Sequence, residues 1–391
     1  MLYCTGRDVE SFAGALVSYS QRGPYMTTIE RQDKPTSSLI KLGRIAFSVL
    51  VLVGVLFVLW VGFIFLRDSN ASQGIIAIIA IVWGVGGIAL LFWVADWVVN
   101  RTSTATAKRL QPFIFVGPAL IILAWYLFIP TVRSLYLSFF DAQSKNFVGL
   151  ANYVFAFTDS KMRESFTNNL LWLVIGTGGA VGFGLIIALL TDRVKMEKVF
   201  KSIIFMPMAI SFVGAGVIWR FIYSYKPAGE DQIGLLNAIV TFFGGEPQAW
   251  FTMPFWNNIF LIAILVWLQT GYAMVIISSA LKGVPSTIIE AGRIDGAGEF
   301  RIIRSIIIPF IAPTLVTVST TIIIITLKIF DIVFTMTNGN YGTEVIASMQ
   351  YKQMFRFYHY GRGSAIAIVL VLAVIPVMWY NLHQFSKREG F

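Results

Sequence analysis

Charge is scarce in this chain. Asp, Glu, Lys and Arg make up 13% of its 391 residues, about half the share usual in soluble domains, while apolar residues reach 57%. That balance, with a mean hydropathy of +0.74, excludes a water-soluble domain and places the chain in a bilayer. Cysteine is almost missing as well. Cys4 stands alone, so an internal disulfide and a cysteine-built metal site are both excluded. The two histidines, His359 and His383, lie far apart without clustered carboxylates, which leaves no histidine metal centre and reads both as interfacial side chains. No Gly-x4-Gly-Lys-Ser/Thr stretch occurs, so the chain cannot cradle ATP phosphates by that motif. Neither a Ser-His-Asp arrangement nor paired carboxylates inside a span point to catalysis. Short alternating apolar and polar segments, the mark of a β-barrel, are missing too.

Long apolar runs are what the chain has. Eight are long enough to cross ~30 Å of hydrocarbon as helices, at 43–66, 74–99, 111–139, 165–191, 203–224, 255–280, 307–330 and 363–386. The fold expected is all-α and polytopic, with eight transmembrane helices. The third run exceeds what the bilayer requires, and Pro118 and Pro130 permit bends in it. Residues 1–40 form a mixed, polar tail without the pattern of a cleavable signal, and Met26 offers an alternative start. The net charge of +10 reads as topology and lipid contact, with no nucleic-acid module to answer it. Most Lys and Arg residues fall in alternate segments, among them Lys41, Arg44, Lys108, Arg109, Lys195, Lys198, Lys201, Lys282, Arg293, Arg301, Arg304, Lys387 and Arg388. That bias predicts cytoplasmic N- and C-termini. The connections at 225–254 and 331–362 are then external, the second carrying Asn338-Gly339-Asn340-Tyr341-Gly342, a strong turn signal. An aromatic stretch from Tyr351 to Tyr360 follows, fit for a short interfacial helix or an aromatic belt. On the fourth run, Gly178 and Gly182 are spaced to let another helix approach closely.

One interruption between runs stands out. Glu290-Ala291-Gly292-Arg293-Ile294-Asp295-Gly296-Ala297-Gly298-Glu299-Phe300 is polar, too short for a domain, and followed by Ile308-Pro309 and Pro313. Ser286 or Thr287 is placed to cap a first short helix, Gly296 and Gly298 permit a sharp turn, and a second helical piece begins near Phe300. Such a bent pair at the membrane surface is a knob suited to a partner's cleft.

Glu290-Ala291-Gly292 with Asp295-Gly296-Ala297, Ile308-Pro309 and Pro313 resembles the EAA loop of ABC importer permeases, closest to the carbohydrate branch of maltose and glycerol-phosphate permeases. Gly117-Pro118 with Pro130 and Ser138-Phe139-Phe140, Phe205-Met206-Pro207, and Thr337-Asn338-Gly339 with Tyr341-Gly342-Thr343 extend the likeness over about 109–391. The wording of 336–386 looks most like the α-glucoside permeases. The resemblance implies a six-helix type I importer core over 109–391, two additional helices over 41–108, and a coupling loop at about 282–309. It implies a bacterial inner-membrane permease that binds no cofactor itself. Its partners would be a second homologous permease, two cytoplasmic ATPases holding ATP and Mg, and a periplasmic or lipid-anchored sugar-binding protein. Glu290, Ala291, Gly292, Asp295, Gly296 and Ala297 would meet the ATPase, although the family's common pattern has Ala where this chain has Gly292, at some loss of helix propensity.

Polar groups deep in a bilayer are expensive and so carry functional hypotheses. Ser211, Gln269, Thr270, Tyr272 and Thr326 are such groups here. By resemblance, Leu268, Tyr272 and Thr326 fall where maltose-type permeases contact sugar, whereas Ile322 and Ile329 replace polar groups of those relatives. The expected substrate pathway is therefore Ser211, Leu268, Gln269, Tyr272 and Thr326, carrying an α-glucoside or related sugar. The competing reading is an ion-coupled secondary transporter, which calls for carboxylates or broken-helix ion sites within the spans; carboxylates away from span ends are few.

Overall fold

The computed structural model describes residues 38–69, 71–100, 104–192 and 194–386, and its regular elements are helical. No strand forms among the described residues; one isolated bridge joins Phe140 and Phe147. The tail over 1–37, with the alternative start at Met26, and the closing Lys387 and Arg388 lie outside the described residues. The chain divides into two units, Met1–Tyr126 and Leu127–Phe391.

The first unit holds α1 (Ser38–Asp68), α2 (Gln73–Val99) and α3 (Thr104–Leu123). Apolar side chains on α1 and α2 face outward almost all round, as in Phe65 and Val82, which suits surroundings as apolar as themselves. Helices in lipid gain nothing from burying oil against oil, so close packing and hydrogen bonds must hold them together. Here the Trp83 indole packs over Gly62 and donates to the Leu59 carbonyl at 3.4 Å. At the other end of α2, Asp96 accepts from Asn100 at 2.8 Å and Gln111 at 3.3 Å.

A π-helical turn, Ala124–Phe128, leads into α4 (Ile129–Leu137) just ahead of Pro130. Proline has no N–H to complete the ladder, and a widened turn accommodates the gap. The expected bend at Pro130 thus takes a defined form. The second unit continues with α5 (Ala151–Thr158), α6 (Ser160–Thr191), α7 (Glu197–Phe205), α8 (Phe212–Ile222) and α9 (Leu235–Phe242). Then come α10 (Trp256–Leu281), α11 (Ser286–Ile294), α12 (Glu299–Leu327), α13 (Asp331–Met336), α14 (Ile346–Tyr351) and α15 (Tyr360–Ser386). Among the described residues seven helices are long and apolar enough to span a bilayer, and α7 with α8 makes an eighth crossing only as a pair bent by 101°. The expected continuous helix over 203–224 is therefore corrected to a broken one. Pro207 lies in a 3₁₀ turn, Met206–Ala209, and the chain leaves helical geometry at Ile210 and Ser211. The seventh helix also ends at Leu327 rather than 330. Lys328 and Asp331 consequently do not share one helical face, because a new helix starts at Asp331.

The core of this unit is built on α10, whose Leu261, Ile264, Leu265 and Met274 are fully buried. The seam with α6 uses Gly176 against Leu265, Gly179 against Val266 and Gly184 against Ala273. Gly178 and Gly182 have nothing near them. The intrachain contact has the expected character but different residues.

Side-chain amides tie the turn after α13 to α6 and α10. Asn168 donates to the carbonyls of Gly342 and Glu344 at 2.9 and 2.8 Å, and Asn258 to that of Gly342 at 3.1 Å. Asn257 donates to the Tyr341 carbonyl at 2.6 Å, and Asn169 Oδ1 accepts from the Ile346 N–H at 2.8 Å. The expected turn is present, with Asn338, Gly339, Tyr341 and Gly342 all at positive φ. After it, α14 continues into a π-helical turn, Lys352–Arg356, so the stretch after Tyr351 is part helix, with Phe355, Phe357 and Tyr358 exposed as in a belt. Glu344, 5% exposed, is paired with Lys352 at 2.5 Å, and Lys352 also donates to the Asn338 carbonyl at 2.7 Å.

Breaking a buried pair from one side leaves an uncompensated charge, at a cost of about 3–5 kcal/mol. Glu344→Ala is expected to destabilise the chain by that order, and Glu344→Ala with Lys352→Met by clearly less. Thermal unfolding of the purified chain in detergent checks both; equal losses in the two variants would refute the pairing argument.

Candidate functional site

Two places emerge, one at each end of α10's second half. The first is the turn between α11 and α12. The helix α11 starts after Pro285, which stands at the cap position with no side-chain cap; Ser286 is already helical and does not cap it. Its C-terminus closes by a Schellman pattern: the N–H of Ala297 donates to the Gly292 carbonyl at 3.0 Å and that of Gly296 to the Arg293 carbonyl at 3.0 Å. Gly296 takes φ +79°, a conformation that disfavours any side chain. Arg293 reaches across the turn to Glu299, Nε to Oε1 at 3.0 Å, and fixes its angle. The second helical piece is not a separate short helix. It is the first turns of α12, which runs on through a π-helical turn, Ile303–Ile307, ahead of Pro309. Without a Cβ at Gly292, the side chain of Ile306 packs against α11.

This turn presents apolar knobs to the outside: Ile294 is 86% and Phe300 76% exposed. Around them Ala291, Asp295 and Gly296 are exposed as well. Glu290 and Arg293 line a cavity of ≈ 260 Å³ behind the turn, with Asp192, Ser286, Glu299 and Ile302. Exposed large apolar groups set among charges mark a docking surface.

The second place is the elbow between α7 and α8. Gly271 on α10 makes it possible: a Cβ there would stand 2.5 Å from the Ile204 carbonyl oxygen. The end of α7 therefore lies directly on α10. The 3₁₀ turn and the break then wrap a cavity of ≈ 290 Å³, lined by Met208, Ile210, Phe212, Leu268, Gln269, Tyr272, Thr321 and Ile325. Of the expected pathway residues, Leu268, Gln269 and Tyr272 meet here. Ser211 is absent from the lining; its Oγ accepts from the Gly214 N–H at 3.0 Å and caps α8. Thr326 is fully buried and donates to the Ile322 carbonyl at 2.8 Å within α12. Thr270 likewise donates within α10, to Val266. Ile322 and Ile329 are packed in the interior away from the lining.

Thr321, Met208 and Ile325 were missed from sequence. Thr321 and Ile325 are one turn apart on the same stripe of α12, but that face shows itself only once α12 is packed. Met208 enters the wall only because the fifth span breaks. The cavity has no charged side chain in its lining. Its polar groups are the Tyr272 hydroxyl, the Thr321 hydroxyl and the Gln269 amide. Gln269 is 5% exposed and its Oε1 has no hydrogen-bond partner among the described residues. Buried amide oxygens are seldom left so. That oxygen is itself closed off from the cavity, so the hydroxyls of Tyr272 and Thr321 are the groups that would meet a neutral ligand's hydroxyls, and the Tyr272 and Phe212 rings supply flat apolar surface.

Comparison with known proteins completes the picture. The profile of the family described as binding-protein-dependent transport system inner membrane component matches residues 180–388. The osmoprotective compounds uptake permease protein GgtC of Synechocystis sp. is 58% identical over 275 residues, 70% of this chain and 99% of that protein. The alpha-glucoside transport system permease protein AglF of Rhizobium meliloti is 48% identical over 333 residues, 82% of this chain and 99% of that one. Among solved structures, a bacterial alginate ABC transporter in complex with its pentasaccharide-bound periplasmic protein has a chain similar in fold. Its TM-score is 0.62 at 18% identity, covering 72% of this chain and 96% of that chain.

Close approach at the elbow is testable. Gly271→Val forces side-chain atoms into the α7 backbone and should lower stability by roughly 1–3 kcal/mol. Gly178→Val, on a face with open space, should leave the chain within about 0.5 kcal/mol of the parent. Melting of the two purified variants in detergent decides it, and equal melting temperatures would contradict the packing described.

Proposed function

We propose a transport cycle from one premise: the chain belongs to the family of binding-protein-dependent transport system inner membrane components. It is the membrane-spanning permease subunit of an ABC importer in the bacterial inner membrane. The substrate we assign is a carbohydrate, an α-glucoside or a related di- or oligosaccharide. The observation that carries this is the uncharged elbow cavity lined by Gln269, Tyr272 and Thr321 among apolar side chains. The name carried by the 48% identical relative supports it.

In this reading residues 109–391 are the permease core and 41–108 an addition to it. Both termini and the α11–α12 turn face the cytoplasm. A second homologous permease lies alongside, and two ATPases, which hold ATP and Mg, dock on Glu290, Ala291, Gly292, Asp295, Gly296 and Ala297 with Ile294 and Phe300 as apolar anchors. A periplasmic or lipid-anchored binding protein delivers the sugar. Leu268, Gln269, Tyr272 and Thr321 contact it in transit. An ion-coupled transporter fits less well, since no carboxylate lines the cavity to hold a driving ion.

Two outcomes follow in the reconstituted importer. Gln269→Leu should raise the half-saturating sugar concentration about tenfold, equivalent to ~1.4 kcal/mol and to one neutral hydrogen bond. Glu290→Lys or Gly296→Pro should abolish uptake and reduce co-purification of the ATPase while membrane insertion persists. Uptake that survives loss of the ATPase's phosphate-loop lysine would falsify the ATP-driven reading in favour of ion coupling.

A further inference from the structure

A charge cluster lies between the two sites, sharing Asp192 with the lining of the first. Lys201, on α7, donates to Asp192 Oδ1 at the end of α6 at 2.5 Å and to Glu197 Oε1, one turn back on α7, at 2.6 Å. Its remaining donor meets Ser278 Oγ on α10. An ammonium has three N–H groups and no acceptor, so Lys201 is saturated by bonds to three helical elements at once. Ser278 in turn donates to Asp192 Oδ1 at 2.7 Å. Glu197 also pairs with Lys282 at 2.5 Å, and Lys282 sits at the end of α10 just ahead of α11. The side chains of Lys201, Asp192 and Glu197 are 15%, 19% and 25% exposed, partly withdrawn from the solvent that would screen them.

The cluster fixes one end of α7, which has no side-chain cap of its own at its N-terminus. The other end is fixed by the backbone contact of Ile204 and Phe205 with Gly271. A nine-residue helix at 1.5 Å per residue is a rod of about 13 Å. Beyond Phe205 the chain enters the 3₁₀ turn whose Met208 lines the elbow cavity. One rod therefore has its foot tied to the end of α10 just ahead of α11, through a Lys282 side chain that is 58% exposed, and its tip leads into the cavity wall.

We propose that Glu197, Lys201 and Asp192 are positioning residues that make α7 a transmission rod, carrying displacement of α11 to Met208 and so to the substrate cavity. The proposal rests on α11 being the ATPase-docking element. None of these residues touches sugar or nucleotide; they act through α7. If the foot is released, α11 can still move but its motion no longer reaches the elbow. Nucleotide hydrolysis then runs on while substrate transport fails.

The test uses the complete importer, reconstituted with its partner subunits, and reads uptake and ATP hydrolysis on the same vesicles. Lys201→Met and Glu197→Gln are expected to cut sugar uptake at least tenfold, with unstimulated ATPase activity within twofold of the parent. The ratio of ATP hydrolysed to sugar imported should rise accordingly. Lys282→Glu alone should behave likewise. Parent-like ATP-to-sugar ratios in Lys201→Met and Glu197→Gln would overturn the proposal. So would losses that merely follow the amount of assembled complex, which marks a structural role. A parent complex whose uptake needs no ATP would instead remove the docking premise, so the two failures are distinguishable.

Discussion

Helix α10 is held by backbone approach, and the rest of the larger unit depends on that. In a hydrocarbon solvent, burying Leu against Leu gains little, because the lipid chains it leaves are equally apolar. What remains is contact at short range. Gly184 lets α6 lie against Ala273, and Gly271 lets the backbone of α7 lie on α10 from the other side. One of these glycines is contributed by α6 and the other by α10 itself. With α10 clasped in this way, its Gln269 and Tyr272 are carried to the point where the fifth span breaks.

The break is itself a consequence of backbone chemistry. A non-helical stretch inside a bilayer leaves amide groups unpaired, and it persists only where protein satisfies them or a cavity admits water or ligand. Here Ile210 donates back to Pro207 and Ser211 caps the next helix through Gly214. The elbow is thereby satisfied locally and needs no polar partner from across the cavity. The Gln269 Oε1 stays buried and unpartnered within that uncharged wall. The polar residue that sequence inspection flags at the elbow, Ser211, is structural, while its apolar neighbours Ile210 and Phe212 form the lining.

This contrast explains what was legible in the sequence and what was not. Seven spans could be read because run length and hydropathy report on the bilayer, a constraint that acts residue by residue. The bend of the EAA-like loop could be read because only glycine tolerates the conformation at 296. The α6–α10 seam was readable in kind but not in register: glycines at 178 and 182 have the favoured spacing, yet 176, 179 and 184 face α10. Spacing along one helix cannot say which stripe its neighbour takes. The fifth span was misread as continuous because Pro207 alone does not distinguish a kink from a break. With that elbow unseen, Met208 had no reason to be named. Thr326 and Thr321 look alike in sequence, and only the packing of α12 shows that the first is walled in and the second faces the cavity.

The distribution of charge then separates the tasks of the chain. The cavity wall is neutral, so under the proposed function a neutral cargo would give up no ion pair there on entry or exit. Ionic contacts are concentrated instead at the surface layer, where Arg293 spans the α11–α12 turn and Lys201 ties three elements together. Strong, directional bonds suit parts that must move as one body, since a rigid link transmits displacement where a loose one absorbs it. Weak, uncharged contacts suit the place where the cargo must let go. A permease that draws its energy from another subunit needs both, and it needs them apart: stiffness where the push arrives and low affinity where the sugar passes. The short helix α7 reaches both regions, with charged side chains at its start and a cavity-lining methionine just past its end.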